Sequence, residues 1–153
     1  MNEQSLNQLG FQEAAMVFVR DGVPDAVFND FGQDVTAGVY CWISEDTAGN
    51  QEVIYVGKFG SALPKRFREH RGGFRGGSQS GVKKAAYIFE SLDQGNTIKI
   101  FAKASARCDI EYTDILGNTI RTTVTTESTD EISMIEHVTA QQGKPVLNGT
   151  KGG

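Results

Sequence analysis

Two short runs of β-branched and aromatic residues lie close together, and they constrain the fold more than any other feature. Residues 38–43 and 52–57 both have the composition of strands. The segment between them contains Gly49 and Asn50, a pair typical of tight turns. Strands joined by so short a connection pair antiparallel. The sequence therefore predicts an antiparallel hairpin at the centre of the fold.

The other predicted elements follow without a regular strand–helix–strand repeat. Asp21 and Gly22 predict the turn of a first hairpin, and Pro64 predicts the start of a helix. Ser128, with Glu131 three residues later, predicts a capping box that opens the last helix. The predicted fold class is α+β: a small, mainly antiparallel sheet flanked by helices, with an extra hairpin. Besides the central hairpin, the predicted elements are strands at 15–19 and 26–28, a helix from 64 to about 71, a helix at 82–92, a strand at 97–102, a hairpin over 108–125 and a helix at 129–142.

The chain length of 153 residues suits one compact unit. We predict an N-terminal extension over residues 1–36, packed on the core, and the main domain over 37–153. No apolar run is long enough to cross a membrane and the first residues lack a secretory pattern, so we expect a cytoplasmic protein with no membrane partner. Cys41 and Cys108 lie far apart and are predicted to be small buried hydrophobes.

The charge is distributed unevenly along the chain. The net charge is −4, yet residues 58–84 carry eight basic side chains and one acidic one. A local basic cluster can neutralise phosphates whatever the overall charge; the alternative is a solvated helix face. Within it, the Gly-rich segment 72–78 lacks the spacing of a nucleotide-binding loop and is predicted to be a flexible loop that contacts phosphates. The predicted nucleic-acid contacts are Lys65, Arg68, Arg71, Arg75, Lys83 and Lys84.

Five motifs that could carry chemistry follow one another in the chain. Arg66 and His70 are one helical turn apart, so both project from the same helix face. Each motif alone has an ordinary structural explanation, because strand tyrosines commonly pack and helix glutamates are commonly solvated. Their joint order is far more specific. The motifs are Gly38-Val39-Tyr40, Tyr55-Val56-Gly57-Lys58, Arg66 with His70, Glu136, and Asn148.

This order of motifs resembles the GIY-YIG nucleases over residues 37–149, with valine at the centre of both tripeptides. Arg66 follows Tyr55 by 11 residues, one more than is usual in that family, so Lys65 is an alternative at the usual spacing. Arg66 is preferred because a histidine lies one turn after it. Glu136 precedes Asn148 by 12 residues, which also resembles the closing segment of the family.

The resemblance implies a metal-dependent endonuclease that hydrolyses DNA and leaves 3′-hydroxyl and 5′-phosphate ends. Tyr40 would act as general base on water, and Tyr55 would orient the water or the phosphate. Lys58 and His70 would support them, and nearby cations are expected to lower the tyrosine pKa. Asn148 would hold the tail near the site.

Elementary chemistry favours two of the same residues. Arg66 offers a planar, permanently charged donor for phosphate. Glu136 is a hard oxygen ligand suited to Mg²⁺ or Mn²⁺. No second carboxylate is spaced as its partner, so one metal ion per site is expected.

Several alternatives remain open at this level. The enzyme could be a stand-alone restriction-like or mobile-element nuclease, either monomer or homodimer. A non-catalytic nucleic-acid-binding module with the same fold is the second hypothesis. The third is a protein-interaction module, because residues 1–57 carry nine acidic side chains against one basic one and could bind a basic partner or mask the basic cluster.

Overall fold

The computed structural model describes residues 1–149, which form one main sheet with helices on both faces. The strands of this sheet are β1 (Gln12–Arg20), β2 (Val23–Phe28), β3 (Thr36–Glu45), β4 (Gln51–Ala62) and β5 (Thr97–Ala104). Their spatial order is β2-β1-β5-β3-β4, and every neighbouring pair is antiparallel. The helices are α1 (Glu3–Gln8), α2 (Asp30–Asp34), α3 (Leu63–Gly72), α4 (Gln79–Asp93) and α5 (Glu127–Gln142). The predicted α+β class is confirmed.

A separate hairpin projects from this body. Its strands are β6 (Arg107–Thr113) and β7 (Thr119–Thr125), which pair with each other and with no strand of the main sheet. The hairpin predicted over 108–125 is therefore present.

The N-terminal segment is part of the main sheet. β1 and β2 form the hairpin predicted around Asp21 and Gly22, whose φ angles of 51° and 72° both lie in the left-handed region that such turns require. β1 also pairs with β5, so residues 1–36 supply two of the sheet's five strands. Deleting them would open the sheet, and truncation is therefore no test of whether they mask the basic cluster.

The two sheet faces bury different hydrophobic clusters. On one face, Tyr40 and Trp42 of β3 pack with Phe67 of α3 and with Ile88 of α4. On the other face, neighbouring β3 residues pack with Leu6 of α1 and with α5. This alternation follows from the two-residue period of a strand. It places α3 and α4 over the face that carries Tyr40.

The connection between α3 and α4 differs from the prediction of a flexible loop. Gly73–Gly77 continue α3 as a turn of π-helix, and Phe74 within it is buried. Ser78 then caps α4, since its side chain accepts a hydrogen bond of 2.9 Å from the Gly81 amide. The loop prediction for 72–78 is wrong because a buried aromatic residue anchors the glycines.

The start of α5 also differs from the prediction. The helix begins at Glu127, and Thr126 occupies the cap position without a hydrogen bond from its side chain to the backbone. The Thr126 hydroxyl donates instead to Asp130 at 2.8 Å. The capping box of Ser128 and Glu131 is therefore wrong, and both side chains are available for other contacts.

The cysteine prediction holds for one residue of the two. Cys41 is fully buried in β3, whereas Cys108 is exposed on β6. The prediction for Cys108 is wrong because every residue of β6 is exposed. No helix within residues 1–149 is long and apolar enough to cross a membrane.

Candidate active site

Tyr40 lies at the centre of the candidate site and is almost completely buried, at 1% exposure. Its hydroxyl shares a hydrogen bond of 2.5 Å with Nε2 of His70. Gly57 of β4 lies opposite Tyr40 in the strand pairing. A Cβ atom at Gly57 would lie 2.5 Å from Cζ and from the hydroxyl oxygen of Tyr40, so only glycine leaves room for the ring. The two tripeptide motifs therefore fit each other across the β3–β4 hairpin.

His70 is buried in α3 and does not carry a charge at neutral pH. Burial lowers the pKa of His70 to about 3, and the positive charges of Arg66 and Lys84 add to this effect. A neutral imidazole has one nitrogen that can accept a hydrogen bond. His70 can therefore accept the proton of the Tyr40 hydroxyl.

Tyr55 completes an aromatic cluster around the imidazole. Its ring centroid lies 5.5 Å from that of His70 and 5.9 Å from that of Tyr40. The Lys84 ammonium lies over the Tyr55 ring, 4.4 Å from its centroid, within the range of a cation–π contact. Burial and the charge of Arg66 both lower the pKa of Lys84. The sequence predicted Lys84 as a phosphate contact, and the structure places it beside a motif tyrosine.

The expected lowering of the tyrosine pKa is not found. Burial is the largest influence on both groups, and it raises the pKa of Tyr40 well above its usual value and also raises the pKa of Tyr55. Arg66 acts in the expected direction on both tyrosines, but its effect is smaller than that of burial. Lys58 is not among the groups that shift either tyrosine pKa, and its ammonium donates to the Ser128 hydroxyl at 2.9 Å. Both tyrosines are therefore protonated in the free protein.

Arg66 is the basic residue of α3 that faces the motif tyrosines. Lys65, its rival at the usual family spacing, is exposed and influences neither tyrosine. Arg66 also forms an ion pair of 2.7 Å with Glu69 on the helix surface. Its side chain lines a surface groove of about 330 Å³ together with residues of β4, Glu69 and Glu127. A phosphate in this groove would lie within reach of a half-exposed guanidinium.

The predicted metal ligand, Glu136, lies on the exposed side of α5. The side of α5 that faces the sheet carries Met134 and Val138. Glu131 lies one turn before Met134 and is half-buried. Its negative charge raises the pKa of Tyr55, which places this carboxylate near the site. From the sequence, Glu131 was assigned to a capping box and no role in the site was predicted for it.

Asn148 joins the C-terminal segment to the second motif. Its side-chain oxygen accepts from the Val56 amide and its side-chain nitrogen donates to the Val56 carbonyl, each at 2.8 Å. The Leu147 amide donates to the Ile54 carbonyl at 2.8 Å. This geometry gives Asn148 the tail-holding contacts that the resemblance implied. Both contacts are made to the free edge of β4.

The predicted basic contacts fall into three groups. Lys65, Arg68, Arg75 and Lys83 are exposed. Lys84 is half-buried and lies against the Tyr55 ring of the aromatic cluster. Arg71 is half-buried, donates to the Pro24 carbonyl at 3.1 Å and lies 3.7 Å from Asp25. It therefore connects α3 to β2, and its charge is partly neutralised there.

Among residues 1–149, no group of three or more His, Cys, Asp or Glu side chains could hold a metal ion. A site with one carboxylate is still compatible with Mg²⁺ or Mn²⁺, because these ions retain several waters and bind substrate oxygens. Glu131 is a carboxylate whose charge acts on Tyr55.

The fold defined by these elements is that of the GIY-YIG nucleases. One solved structure with this fold is a variant of EndoII of bacteriophage T4, a GIY-YIG nuclease. It has a TM-score of 0.64 and 20% identity, over 88% of this chain and 92% of that one. A second is restriction endonuclease HPY188I in complex with product DNA, with a TM-score of 0.50 and 14% identity, over 98% of this chain and 87% of that one. No protein-family model and no curated protein sequence matches the chain.

Proposed function

We propose that this protein is an endonuclease that hydrolyses phosphodiester bonds of DNA with one divalent metal ion. The observation that carries the proposal is the hydrogen bond between Tyr40 and His70, with Arg66, Lys84 and Tyr55 around it. A buried hydroxyl, a neutral imidazole and two cations suit the attack of water on a phosphate. Two proteins of similar fold are endonucleases, EndoII and HPY188I, and the second was solved with product DNA.

Tyr40 and His70 form a proton relay in this mechanism. The oxygen of a water molecule attacks phosphorus, and the water gives a proton to the Tyr40 hydroxyl oxygen. Tyr40 passes its own proton to Nε2 of His70. The bond from phosphorus to the 3′ oxygen breaks, and that oxygen takes a proton from solvent. Because Tyr40 gains one proton as it loses another, the reaction needs no free phenolate, in keeping with its raised pKa.

The two cations couple this relay to substrate binding. Arg66 and Lys84 both lower the pKa of His70 in the free protein. A bound phosphate neutralises their charge, so the pKa of His70 rises when DNA is present. Arg66 and Lys84 also stabilise the negative charge that develops on the phosphate. His70 therefore becomes a stronger base when DNA is bound.

We place the metal ion, Mg²⁺ or Mn²⁺, at Glu131 rather than at Glu136. Glu131 is half-buried beside Tyr55, whereas Glu136 is exposed on the outer side of α5. The ion, when bound, supplies Lewis-acid polarisation of the phosphate and lowers the pKa of a bound water. Glu131 would hold it through one carboxylate, with solvent and substrate oxygens as the other ligands.

Cleavage of supercoiled plasmid tests the function and the metal ligand together. Wild type should cut with Mg²⁺ and stop with EDTA. Glu131→Ala should lose at least about 100-fold in rate, while the matched variant Glu136→Ala on the same helix should cut like wild type. The opposite ranking would move the metal to Glu136. Wild-type rates in both variants would refute a carboxylate-bound metal on α5.

The biological role is proposed to be that of a stand-alone, restriction-like nuclease. Sequencing the ends of cut plasmid would reveal one recognition site, and scattered ends would exclude this role. The competing function is a non-catalytic DNA-binding module, favoured by the exposed Lys65, Arg68, Arg75 and Lys83. Salt-dependent binding by well-folded wild type, without cleavage in Mg²⁺ or Mn²⁺, would establish that function instead.

A further inference from the structure

The projecting hairpin of β6 and β7 has one apolar face and one polar face. Residues that pair across an antiparallel ribbon point to the same side. On one side Glu111 binds Arg121 at 2.9 Å, and the Thr123 hydroxyl donates to Asp109 at 2.6 Å. The other side is largely apolar. It carries the pairs Cys108–Val124, Ile110–Thr122 and Tyr112–Ile120.

The tip of the hairpin extends this apolar surface. Ile115 is 100% exposed and Leu116 is 80% exposed. The turn that presents them is held rigidly, because the Asp114 carboxylate accepts from the Leu116 and Asn118 amides at 2.8 Å each. Gly117 supplies the positive φ of 84° that closes the turn. The hydrogen-bonded turn therefore presents two aliphatic side chains to solvent.

An isolated two-stranded ribbon is only marginally stable in water and needs a surface to cover its apolar side. The five large hydrophobic side chains of this ribbon and its tip are together exposed to the extent of about three complete side chains. Aromatic side chains have about 150–250 Å² of surface and aliphatic ones less, so this is on the order of 500 Å² of apolar surface. Two such faces against each other bury about 1,000 Å², the lower bound for a specific interface. The five side chains are Ile110, Tyr112, Ile115, Leu116 and Val124.

The charge of the hairpin argues against DNA as its partner. Residues 107–125 contain two arginines and three acidic residues, a net charge of −1. Elements that bind the DNA backbone carry an excess of positive charge. The acidic Asp114 beside the tip also disfavours an anionic membrane surface. A second copy of the same face is apolar and nearly neutral, so the charge arguments against DNA and against an anionic membrane do not apply to it.

We propose that the apolar face of this hairpin, with its tip, is the dimer interface of the protein. Two hairpins related by a two-fold axis pack face to face, and their polar sides remain in solvent. The proposal does not depend on the cleavage chemistry. If the protein is the endonuclease proposed above, the dimer would supply the second active site that a double-strand cut needs.

Sedimentation of the full chain over a range of concentrations tests the interface. Wild type should be a dimer, and Ile110→Asp should raise the dimer dissociation constant at least about 100-fold. Thr119→Asp is the matched control, because Thr119 is exposed on the polar side of the same hairpin and should leave the dimer intact. The double variant Ile115→Ser with Leu116→Ser, which leaves both strands unchanged, should also dissociate.

Three results would overturn the proposal. The first is a wild type that stays monomeric up to about 100 μM, well above the dissociation constants of specific interfaces of this size. The second is equal dissociation by Ile110→Asp and Thr119→Asp, which would indicate general disruption of the hairpin. The third is a monomeric wild type that binds DNA or neutral phosphatidylcholine vesicles through the hairpin tip. In that case the double variant Ile115→Ser with Leu116→Ser would lose this affinity. Thermal unfolding of each variant verifies that the main sheet is intact.

Discussion

Replacing Gly57 by alanine should inactivate the protein through Tyr40 while leaving the fold in place. The new Cβ would lie 2.5 Å from Cζ and the hydroxyl oxygen of Tyr40 and 2.9 Å from Cε1. Carbon atoms in contact are separated by about 3.5–4.0 Å, so the ring must move by about 1 Å. Tyr40 is 1% exposed, and its ring packs against Tyr55, Phe59 and His70. The 2.5 Å hydrogen bond to His70 would be broken by such a shift.

Two magnitudes follow from this geometry. Forcing one extra carbon into a packed core costs about 1–3 kcal/mol of unfolding free energy. Loss of a positioned acid–base group lowers the rate by about 10²–10⁴-fold. Plasmid cleavage and urea denaturation measure the two quantities. Gly72→Ala is the matched control, because no atom lies within 4 Å of its new Cβ and alanine suits the end of α3.

A double-mutant cycle with Tyr40→Phe decides whether Gly57 acts through the hydroxyl. Both single changes remove the same proton transfer, so the double variant should be about as slow as either single variant. Multiplied rate losses would show that Gly57 contributes by another route. A Gly57→Ala protein with wild-type activity would refute the reasoning altogether.

Three further predictions concern stability and binding. His70 has a usual pKa of 6.5 and a folded pKa of about 3, so its contribution to stability is present above pH 6.5 and is lost as pH falls toward 3. From about pH 7 to pH 5, wild type should lose about 2 kcal/mol more unfolding free energy than His70→Gln in urea titrations; equal losses would contradict the buried neutral imidazole. Asn148→Ala leaves the Val56 amide and carbonyl unpaired and should cost about 2 kcal/mol by the same assay, and an unchanged midpoint would exclude the tail-holding role. Lys84→Met should reduce the slope of log affinity for DNA against log salt by about one, equally for all sequences, and an unchanged slope would exclude phosphate contact.

Local signals predicted the strands and helices that carry the motifs. Asp21 and Gly22 have the turn conformation that their residue types require. Pro64 lies in the first turn of α3, as its fixed φ predicts. α1 and α2 escaped prediction because helices of six and five residues are too short to show a period. The Gly-rich segment 72–78 is not the flexible loop that its composition predicted, because Phe74 within it is buried.

The sequence predicted which residues lie in the candidate site better than it predicted their pKa values. Motif order indicated Tyr40, Tyr55, Arg66 and His70, and the structure brings these four together. The raised tyrosine pKa could not be predicted, because burial depends on how α3 covers the sheet. The half-buried position of Glu131 near Tyr55 could not be predicted either. Linear spacing favoured Glu136, whereas the direction in which α5 presents each carboxylate depends on tertiary packing.

The contacts along the free edge of β4 are made by residues that are synthesised much later than the strand itself. Asn148 bonds to Val56 across 92 positions, and Gln142 bonds to the Val53 amide and carbonyl across 89. A nascent chain that has made both motif strands but not these later residues exposes an unpaired strand edge beside Tyr40 and Tyr55. Open edges recruit other strands and promote aggregation. Residues 51–62 therefore present such an edge until the later residues have been synthesised.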